Sequence, residues 1–383
     1  MLKGRDIIFF GDDWGRHPST IQHIARVLSR SNRILWVNTL GSRKPRLNLS
    51  DLKRLLEKSA TLIRRGTDSS SEPNIHVLHP RVLPYYDSKM IRKLNNTLLK
   101  SAIRKETKKL RFHKPVLMSI TPLMADLMGQ LGEHSSHYFC ADDYPHFDNV
   151  FSAFVDMEQT MLDRSDTVFV TSEILLATRH PKRRPAKYLP QGVDIDHFKQ
   201  RPGDRPEELA TTSKSVVGFF GLITTWVDVN LIARCAQRYP DATFIVIGRA
   251  TVDTGMLSAL ANVRYLGAIP YASLPKYAQV FDVGLIPFIR NPLTLASNPL
   301  KMLEYLSMGA AVVSTDLPEV HKFGDVVYIA KDNDDFVEQV GIALMSDSPA
   351  RREERRRRAS AYSWMAIAER VSIAIDEAEH DKN

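Results

Sequence analysis

The sequence has little cysteine and no long apolar run. Its two cysteines, Cys140 and Cys235, lie far apart and form no Cys-x-x-Cys or His/Cys cluster. This argues against a metal ribbon or a disulfide framework and favours a reducing cytoplasm. No segment approaches the roughly 18 uncharged residues that a membrane span requires, and the apolar run at residues 7–10 is too short for a signal-peptide core. We therefore expect a cytoplasmic protein whose contact with a membrane can only be peripheral, on the inner face of the plasma membrane.

A complete dinucleotide-binding motif is also missing. Gly218 and Gly221 occur in GFFGLITTW, but the Gly-x-Gly-x-x-Gly pattern is not completed, which argues against a dinucleotide-dependent oxidoreductase. Cations, in contrast, are in excess, and the formal net charge is +8. This charge favours a nucleic acid, an anionic lipid or a phosphorylated small molecule as partner, without choosing among them.

Short apolar runs alternate with helical segments along most of the 383 residues. The runs before residue 199 are DIIFFG, RILWVNT, NIHVLHP, PVLMSIT, HYFCADD and TVFVTS, and those after residue 214 are SVVGFFG, ATFIVIG, VRYLG, FDVGLIPF, AAVVST and VVYIA. This alternation predicts two α/β, doubly wound, Rossmann-like domains with mostly parallel sheets. The predicted divisions are a domain at 1–198, a linker at 199–214, a domain at 215–362 and a helix at 363–383 that returns to the first domain.

The segment SNPLKMLEYLSMG, residues 297–309, places a cation and an acid three residues apart at the start of a predicted helix. Asn298 can cap this helix and Pro299 suits its first position, followed by Leu300. A lysine in the first turn opposes the helix dipole unless an anion lies nearby. We therefore predict that Lys301 and the helix N-terminus bind a phosphate, while Glu304 accepts hydrogen bonds from ribose hydroxyls. The alternative is an ordinary surface ion pair.

Residues 281–320, which contain this helix, resemble the donor site of GT-B glycosyltransferases, in which a Pro-x-Lys-x-x-Glu helix holds a nucleotide diphosphate. The order of VVGFFGLITTWVDVNLI, NVRYLGAIPYASLPKYAQVFD and LPQGVDIDHF is similar to that family as well. The likeness extends to the teichuronic-acid and xanthan-pathway enzymes. One feature departs from many retaining members, because Ala296 stands where they carry a first glutamate.

This resemblance implies two domains that face a cleft. The C-terminal domain would bind a nucleotide diphosphate sugar, with UDP as the expected nucleotide, and the N-terminal domain would bind a glycan or lipid-linked glycan. It implies a hexosyltransferase or glucuronosyltransferase of surface polysaccharide assembly that needs no metal and no cofactor. The Asp-x-Asp pattern at residues 194–196 is interpreted as a turn rather than a metal site, since no second carboxylate cluster lies nearby in sequence.

Four further residues are assigned to the donor site. Gly221 and Leu222 follow the strand-like run VVGFF, Trp226 lies in the same loop, and Arg249 ends the next run. Glycine lets backbone pass close to a diphosphate, and Arg249 could meet a phosphate or a sugar carboxylate. An ordinary turn after a strand explains the glycine equally well.

The catalytic candidates are Asp142 and Asp143, which follow the apolar run HYFCA. Adjacent carboxylates repel, so one of the two pKa values can rise and suit the deprotonation of a sugar hydroxyl. Asp142 is the predicted base if the reaction inverts configuration and a positioning residue if it retains. The alternative is a loop or helix-capping aspartate.

The acceptor candidates are in the loop after the first run. Asp13, Trp14, Arg16 and His17 offer aromatic and charged groups that suit sugars and phosphate oxygens. Packing of Trp14 under a loop is the alternative.

A basic segment at residues 88–114 holds ten Lys or Arg against one Glu, with Ile91, Leu94, Leu98 and Ile103 at roughly helical spacing. Such a segment is typical of a helix on an anionic membrane surface, although a solvated face on a packed helix is the alternative. The run RREERRRR at 351–358 could add to this attraction or be solvated. Aromatic residues do not interleave with the basic helix, so nucleic acid is not expected as a partner.

Two rival functions stay open at this point. A GT-B sugar-nucleotide epimerase would share the diphosphate site but need no second sugar. A non-catalytic basic scaffold that binds membranes or nucleic acid would need neither.

Overall fold

The structure, a computed structural model, describes residues 1–15, 19–39, 67–69, 72–83, 85–147, 150–199, 206–209 and 215–381. The chain divides into two compact units: Met1–Leu189 with Ile367–Asn383, and Pro190–Ala366. The first unit ends before the predicted boundary at residue 198, because Val193 and Phe198 are buried in the core of the second unit. Most of the predicted linker at 199–214 lies outside the described residues.

The described part of the first unit contains one sheet. Its strands are β1 (Asp6–Gly11), β2 (Arg33–Asn38), β3 (Thr67–Ser69), β4 (Ile75–Leu78), β5 (Val116–Ser119), β6 (Ser135–Cys140), β7 (Thr167–Val170) and β8 (Lys187–Tyr188). They are ordered β3-β4-β2-β1-β5-β6-β7-β8, and only β3 pairs antiparallel with its neighbour. The chain order reverses between β1 and β5, which is where open α/β sheets form a crevice at the carboxyl ends of their strands.

The helices of the first unit are α1 (Thr20–Ser29), α2 (Lys89–Lys109), α3 (Ala153–Arg164) and α4 (Glu173–Thr178), with 3₁₀ turns at Pro122–Leu127 and Tyr144–His146. The central strands are buried on both faces; Ile7, Ile8 and Phe9 are each fully buried. This explains why the sequence shows continuous apolar runs rather than alternation.

The second unit contains a parallel sheet of β9 (Val216–Phe220), β10 (Thr243–Ile247), β11 (Val263–Gly267), β12 (Val283–Ile286), β13 (Ala311–Thr315) and β14 (Val327–Ala330). The strand order is β11-β10-β9-β12-β13-β14, so the reversal here lies between β9 and β12. Glycines inside the strands make room for helix and loop side chains: a Cβ at Gly284 would stand 2.4 Å from the ring of Tyr305.

The helices of the second unit are α5 (Ile195–Phe198), α6 (Val229–Arg238), α7 (Gly255–Ser258), α8 (Leu274–Ala278), α9 (Pro292–Leu295), α10 (Leu300–Met308), α11 (Asn333–Met345) and α12 (Pro349–Ser360), with 3₁₀ turns at Glu207–Leu209, Tyr271–Ser273 and Pro318–Phe323. Among the residues that the structure describes, no helix is long and apolar enough to cross a bilayer.

The last helix, α13 (Trp364–His380), begins in the second unit and continues in the first. One face of this helix is buried, since Ile367, Val371 and Ile375 are fully buried. Within the first unit, Glu379 pairs with Arg5 and accepts a 2.7 Å hydrogen bond from Ser135 Oγ. These contacts fix the end of the chain to the first sheet.

The arginine run at 351–358 is largely engaged inside the second unit rather than left as a solvated patch. Arg355 Nη1 donates to the Gly309 carbonyl and Arg356 Nη2 to the Met308 carbonyl, both at 3.1 Å. Arg355 also pairs with Asp347 at 2.6 Å. The carbonyls at the C-terminal end of α10 are therefore satisfied by guanidinium groups of α12.

Candidate functional site

The N-terminus of α10 lies at the carboxyl edge of the second sheet. The helix begins one residue later than predicted: Pro299 occupies the N-cap position, with φ −72° and ψ 103°, and Leu300 is the first helical residue. The side chain of Pro299 makes no capping hydrogen bond, and the Met302 N–H donates to the Pro299 carbonyl at 3.0 Å, so the N–H groups of Leu300 and Lys301 are the ones that a ligand at this helix end would meet. The switch from β9 to β12 places this helix end where ligands bind in doubly wound folds.

Lys301 is the cation at this helix end. Its Nζ atom lies 4.7 Å from the ring centre of Phe219 and 4.6 Å from that of Phe288. Among the described residues, no carboxylate lies within ion-pairing distance of it. Burial lowers the pKa of Lys301 to about 8, and the charge of Glu304 opposes this shift only in part. The ammonium group is thus partly desolvated, and its close contacts among the described residues are with aromatic faces.

Glu304 lies one turn further along and is 7% exposed. Burial raises the pKa of its carboxyl group to about 7, although Lys301 acts in the opposite direction. Its carboxyl oxygens accept no hydrogen bond from the part of the chain that the structure describes. The predicted alternative, an ordinary surface ion pair between Lys301 and Glu304, is therefore not formed. Desolvating charged groups that have no partner is costly, and here Glu304 is buried and Lys301 is partly buried, so this pair calls for an explanation beyond folding.

Gly221 supports the close approach of backbone to this helix. Its φ is +132°, and a Cβ at this position would lie 3.1 Å from Lys301 Nζ. Its N–H donates to the Ile247 carbonyl at 2.9 Å, and a Cβ at Gly248 would meet the Gly221 carbonyl oxygen at 1.8 Å. Both glycines are thus required by the packing of β9 against β10 and Lys301.

The other predicted donor residues lie around the same edge. Leu222 is 39% exposed, Trp226 packs half-buried against the core of the second unit, and Arg249 is exposed directly after β10. Among the described residues, no contact fixes the guanidinium group of Arg249.

Sequence reasoning missed two residues that hold the start of α10. Glu319, which is 1% exposed, accepts a hydrogen bond from Asn298 Nδ2 at 3.3 Å and pairs with Lys322 at 3.1 Å. Tyr305 Oη accepts a hydrogen bond from the Phe220 N–H at 3.1 Å. Both contacts join residues distant in sequence, so no local pattern could have indicated them.

Asp142 follows β6 at the carboxyl edge of the first sheet. It keeps an exposed surface, yet desolvation of its carboxyl group raises the pKa to about 6, with the charges of Asp12 and Asp143 adding to the shift. Its carboxylate has no hydrogen-bond partner among the described residues. Asp12, which follows β1, is a neighbour that the sequence analysis did not name.

Asp143 differs from Asp142 because both of its oxygens are engaged. Oδ2 lies 2.6 Å from His146 Nδ1, and Oδ1 accepts a 2.7 Å hydrogen bond from Arg179 Nη2. The same guanidinium contacts Glu158 at 3.3 Å, and Glu158 accepts a 3.0 Å hydrogen bond from Tyr138 Oη. We name this set, Asp143, Arg179, Glu158 and Tyr138, the β6 cluster. Of the two predicted catalytic aspartates, Asp142 alone offers a free carboxylate.

The predicted acceptor residues are only partly described. Trp14 lies edge-on to Trp36, with ring centres 4.8 Å apart, and under the guanidinium of Arg26 at 5.1 Å, so it has the packing role that was its alternative interpretation. Asp13 accepts a 3.3 Å hydrogen bond from Gln22 through its main-chain carbonyl. Arg16 and His17 lie outside the described residues.

The Asp-x-Asp pattern has a structural role. Asp194 caps α5, its side chain accepting a hydrogen bond from the His197 N–H at 3.0 Å. Within the described ranges, no three His, Cys, Asp or Glu side chains come together as metal ligands.

The two parallel α/β sheets are those of the GT-B glycosyltransferase fold. Sucrose-phosphate synthase of Thermosynechococcus elongatus matches with a TM-score of 0.74 at 14% identity, over 97% of this chain and 98% of that one. The HepE protein of Anabaena, in a structure with UDP-glucose, matches with a TM-score of 0.69 at 14% identity, over 97% and 99%. These likenesses establish the fold.

Residues 215–346, which include α10, match the family described as Glycosyl transferases group 1. The chain is also similar to TuaH of Bacillus subtilis (strain 168), provisionally named a teichuronic acid biosynthesis glycosyltransferase. The two are 31% identical over 176 residues, which are 43% of this chain and 44% of TuaH. The match thus spans less than half of this curated relative. The resemblance noted in the sequence is confirmed.

Proposed function

We propose that this protein is a glycosyltransferase that moves a sugar from a UDP-sugar to a glycan or lipid-linked glycan. The observation that carries the proposal is the pair formed by partly buried Lys301 and buried Glu304 at the N-terminus of α10, which make no ion pair with each other among the described residues. A nucleotide diphosphate sugar supplies what both groups lack: phosphate oxygens for Lys301 and ribose hydroxyls for Glu304. The TuaH similarity and the UDP-glucose bound to HepE support the choice of donor.

In this proposal the second unit stabilises the leaving group. Charge accumulates on the diphosphate as the bond from the anomeric carbon to the phosphate oxygen breaks. Lys301 and the first N–H groups of α10 offset that charge in surroundings of low dielectric, where such interactions are strong. Gly221 keeps the space beside the ammonium free of side chains. No metal and no further cofactor is required by this scheme.

The first unit is proposed to bind the acceptor. The free carboxylate of Asp142 takes the proton of the attacking hydroxyl group if the reaction inverts configuration; its raised pKa keeps it ionised at neutral pH but makes it a better base than an ordinary aspartate. Arg179 holds Asp143 away from that role. A hexosyl or glucuronosyl donor and a place in surface polysaccharide assembly extend the proposal, with support from the TuaH similarity.

We also propose peripheral contact with an anionic membrane through α2. The predicted alternative, a packed helix with a solvated face, would bury its apolar residues. Met90, Leu94 and Leu98 are instead 79%, 47% and 41% exposed, whereas Ile103 is fully buried. Ile103 therefore does not share a face with the other three. Met90, Leu94 and Leu98 are spaced four residues apart, so they lie next to one another along one exposed side of the helix. We call Met90, Leu94 and Leu98 the α2 stripe.

The test begins with the purified protein and a panel of UDP, GDP, UDP-glucose and UDP-glucuronate. Thermal stabilisation by the uridine compounds is the expected result. Incubation with a stabilising donor and candidate glycan acceptors should release UDP and lengthen the glycan. A changed sugar nucleotide in the absence of acceptor would favour an epimerase, and no stabilisation by any nucleotide would refute donor binding.

A further inference from the structure

A cationic groove lies between α2 and α3 within the first unit. It has a volume of about 470 Å³, and its lining holds four cations, Lys89, Arg92, Lys93 and Arg164, with one carboxylate, Asp126. The first three cations are in the N-terminal half of α2, and Arg164 is the last residue of α3. Positive charge from two helices therefore borders the groove.

The carboxylate in the groove is already neutralised. Asp126 accepts hydrogen bonds from Arg92, at 3.0 Å from Nε and 2.7 Å from Nη2. Among the described residues, the side chains of Lys89, Lys93 and Arg164 form no ion pair with a carboxylate. Lys89 and Lys93 are four residues apart, which places them about 6 Å apart along the helix axis. Cations distributed in this way fit a ligand whose acid groups repeat along its length, because a single small anion would neutralise only part of them.

The segment before α2 also contacts the start of α3. Asp87 Oδ1 accepts hydrogen bonds from Ser152 Oγ at 3.0 Å and from the Ala153 N–H at 3.1 Å. Tyr85 is 47% exposed, and its ring packs edge-on against Phe151 with the ring centres 6.0 Å apart. An exposed aromatic ring at the start of α2 is a surface on which the apolar face of a sugar ring can stack.

A series of aromatic contacts links this segment to the candidate base. Phe151 lies 5.9 Å from Phe154, and Phe154 lies 5.9 Å from Tyr144, measured between ring centres. Tyr144 is two residues beyond Asp142. Three ring contacts therefore lead from Tyr85 to Tyr144, a distance that a glycan of a few sugars spans. An acceptor whose reacting sugar lies at Asp142 can reach the start of α2 with the sugars that precede it.

The α2 stripe lies on another side of the helix. Because each residue turns an α-helix by about 100°, the stripe lies about 150° round the axis from the groove cations of α2. A membrane that covers the stripe therefore need not cover the groove, which is left to a ligand in water. The exposed ring of Tyr85 and the link to Asp142 favour a glycan over an acidic peptide as that ligand.

We propose that this groove binds the part of the acceptor glycan that precedes the reacting sugar, and that this part carries repeating acid groups. The inference rests on the proposed function and deepens it, because it names the acceptor as an acidic glycan. The cations of the groove hold the acid groups, and Tyr85 stacks against a sugar between the groove and the candidate base.

Binding of two oligosaccharides to the full chain tests the site. A hyaluronan hexasaccharide carries a carboxylate on every second sugar, whereas a chitin hexasaccharide of the same length is uncharged. Calorimetry should show at least about 10-fold tighter binding of the hyaluronan fragment. Equal affinity for the two oligosaccharides would overturn the proposal.

Two double variants of equal charge separate a site from diffuse attraction. Lys89→Gln/Lys93→Gln changes the groove, and Lys105→Gln/Lys108→Gln changes exposed residues in the C-terminal half of α2. The first should lose at least about 5-fold in affinity for the hyaluronan fragment and the second about 2-fold or less. Equal losses would mean diffuse electrostatic attraction and would overturn the assignment of a site.

A hexaglutamate peptide distinguishes a glycan from an acidic partner protein. Tyr85→Ala should weaken binding of the hyaluronan fragment by about 3-fold or more, since a stacking contact is lost, and leave peptide binding unchanged. A peptide that binds as tightly as the hyaluronan fragment would assign the groove to an acidic protein and overturn the glycan assignment. Circular dichroism confirms that each variant is folded. Stabilisation by UDP-glucose is measured in parallel: its absence in the wild type refutes the proposed function, whereas its presence without glycan binding refutes this inference alone.

Discussion

Helix α10 and the β6 cluster both bury charged groups, but the charges of the β6 cluster are paired and those of α10 are not. In the β6 cluster, Arg179 contacts two carboxylates, Asp143 and Glu158, at 2.7 and 3.3 Å. At α10, partly buried Lys301 and buried Glu304 lie on one helix without an ion pair within the described residues. A paired buried charge is part of the fold, whereas an unpaired one lowers stability. The difference indicates that the first arrangement serves structure and the second serves a ligand.

The largest expected effect comes from breaking the ion pairs of the β6 cluster. Arg179→Met leaves Asp143 and Glu158 buried without their shared guanidinium partner and should lower the free energy of unfolding by about 3–5 kcal/mol. Chemical denaturation measures the change. Arg357→Met is the matched control, because its ion pair with Glu354 at 2.6 Å joins side chains that are 74% and 44% exposed and should contribute little to stability. Similar losses in both variants would remove the structural role assigned to the β6 cluster.

Next in size is the effect of Asp142→Asn on transfer. Loss of a general base should lower turnover by about 10²–10⁴-fold, while UDP-sugar binding and the free energy of unfolding stay close to wild type. UDP release with acceptor present measures turnover. Asp163→Asn, at an exposed carboxylate that pairs with Lys182 at 2.6 Å, is the control and should keep full activity. Near-normal turnover of the Asp142→Asn variant would exclude this residue as the base.

Lys301→Met separates the two regions most directly. Removing a partly desolvated charge that has no ion pair should stabilise the protein without ligand by about 1 kcal/mol, the reverse of the Arg179 result. The same change should weaken UDP binding by about 10–100-fold, since charge-assisted hydrogen bonds to phosphate are lost. Calorimetry gives the affinity and denaturation the stability. A variant that is less stable and still binds UDP would contradict the comparison.

The smallest effect is a pH dependence of donor affinity. The pKa of Lys301, lowered to about 8, means that the free protein loses this charge as pH rises above 8, so UDP affinity should fall toward 10-fold per pH unit there. The stability of the protein without ligand should change in the opposite direction. Between about pH 8 and 10.5 the folded state holds fewer protons on Lys301 than the unfolded state. The contribution of this group to the free energy of unfolding therefore rises with pH in that range. Lys301→Arg should bind UDP with a flat profile above pH 8. If the UDP affinity of the wild type is also independent of pH above 8, the lowered pKa of Lys301 is wrong.

Much of the fold could be predicted because apolar runs in a parallel sheet are local signals. VVGFF, TFIVI and VGLI are strands where the sequence indicated them. The prediction of α10 was accurate to one residue, since Pro299 and Gly309 mark its ends. The role of the arginines in α12 could not be foreseen, because a charge run looks the same whether its partners are solvent or carbonyl groups distant in sequence.

The candidate site was predictable to a lesser degree. Lys301 and Glu304 were found because a cation in a first turn conflicts with the helix dipole. Asp142 and Asp143 look equivalent in sequence, and only the position of Arg179, thirty-six residues beyond Asp143, distinguishes them. Leu94 and Ile103 were assigned to one face of α2 although nine residues rotate them onto different sides, which the exposures make plain.

The anchoring of α10 at its far end has a consequence for how this protein can vary. The rotation of α10 about its axis is fixed at its C-terminal end. Gly309, at φ +86°, ends the helix there, and Arg355 and Arg356 donate hydrogen bonds to its last carbonyls. Each residue of an α-helix turns the chain by about 100°. A single insertion or deletion between positions 302 and 308 would therefore rotate Lys301 about the helix axis by a quarter-turn or more. Its ammonium group would then point away from the proposed phosphate position, even if every side chain were kept. The spacing of this segment constrains its evolution as strictly as its composition does.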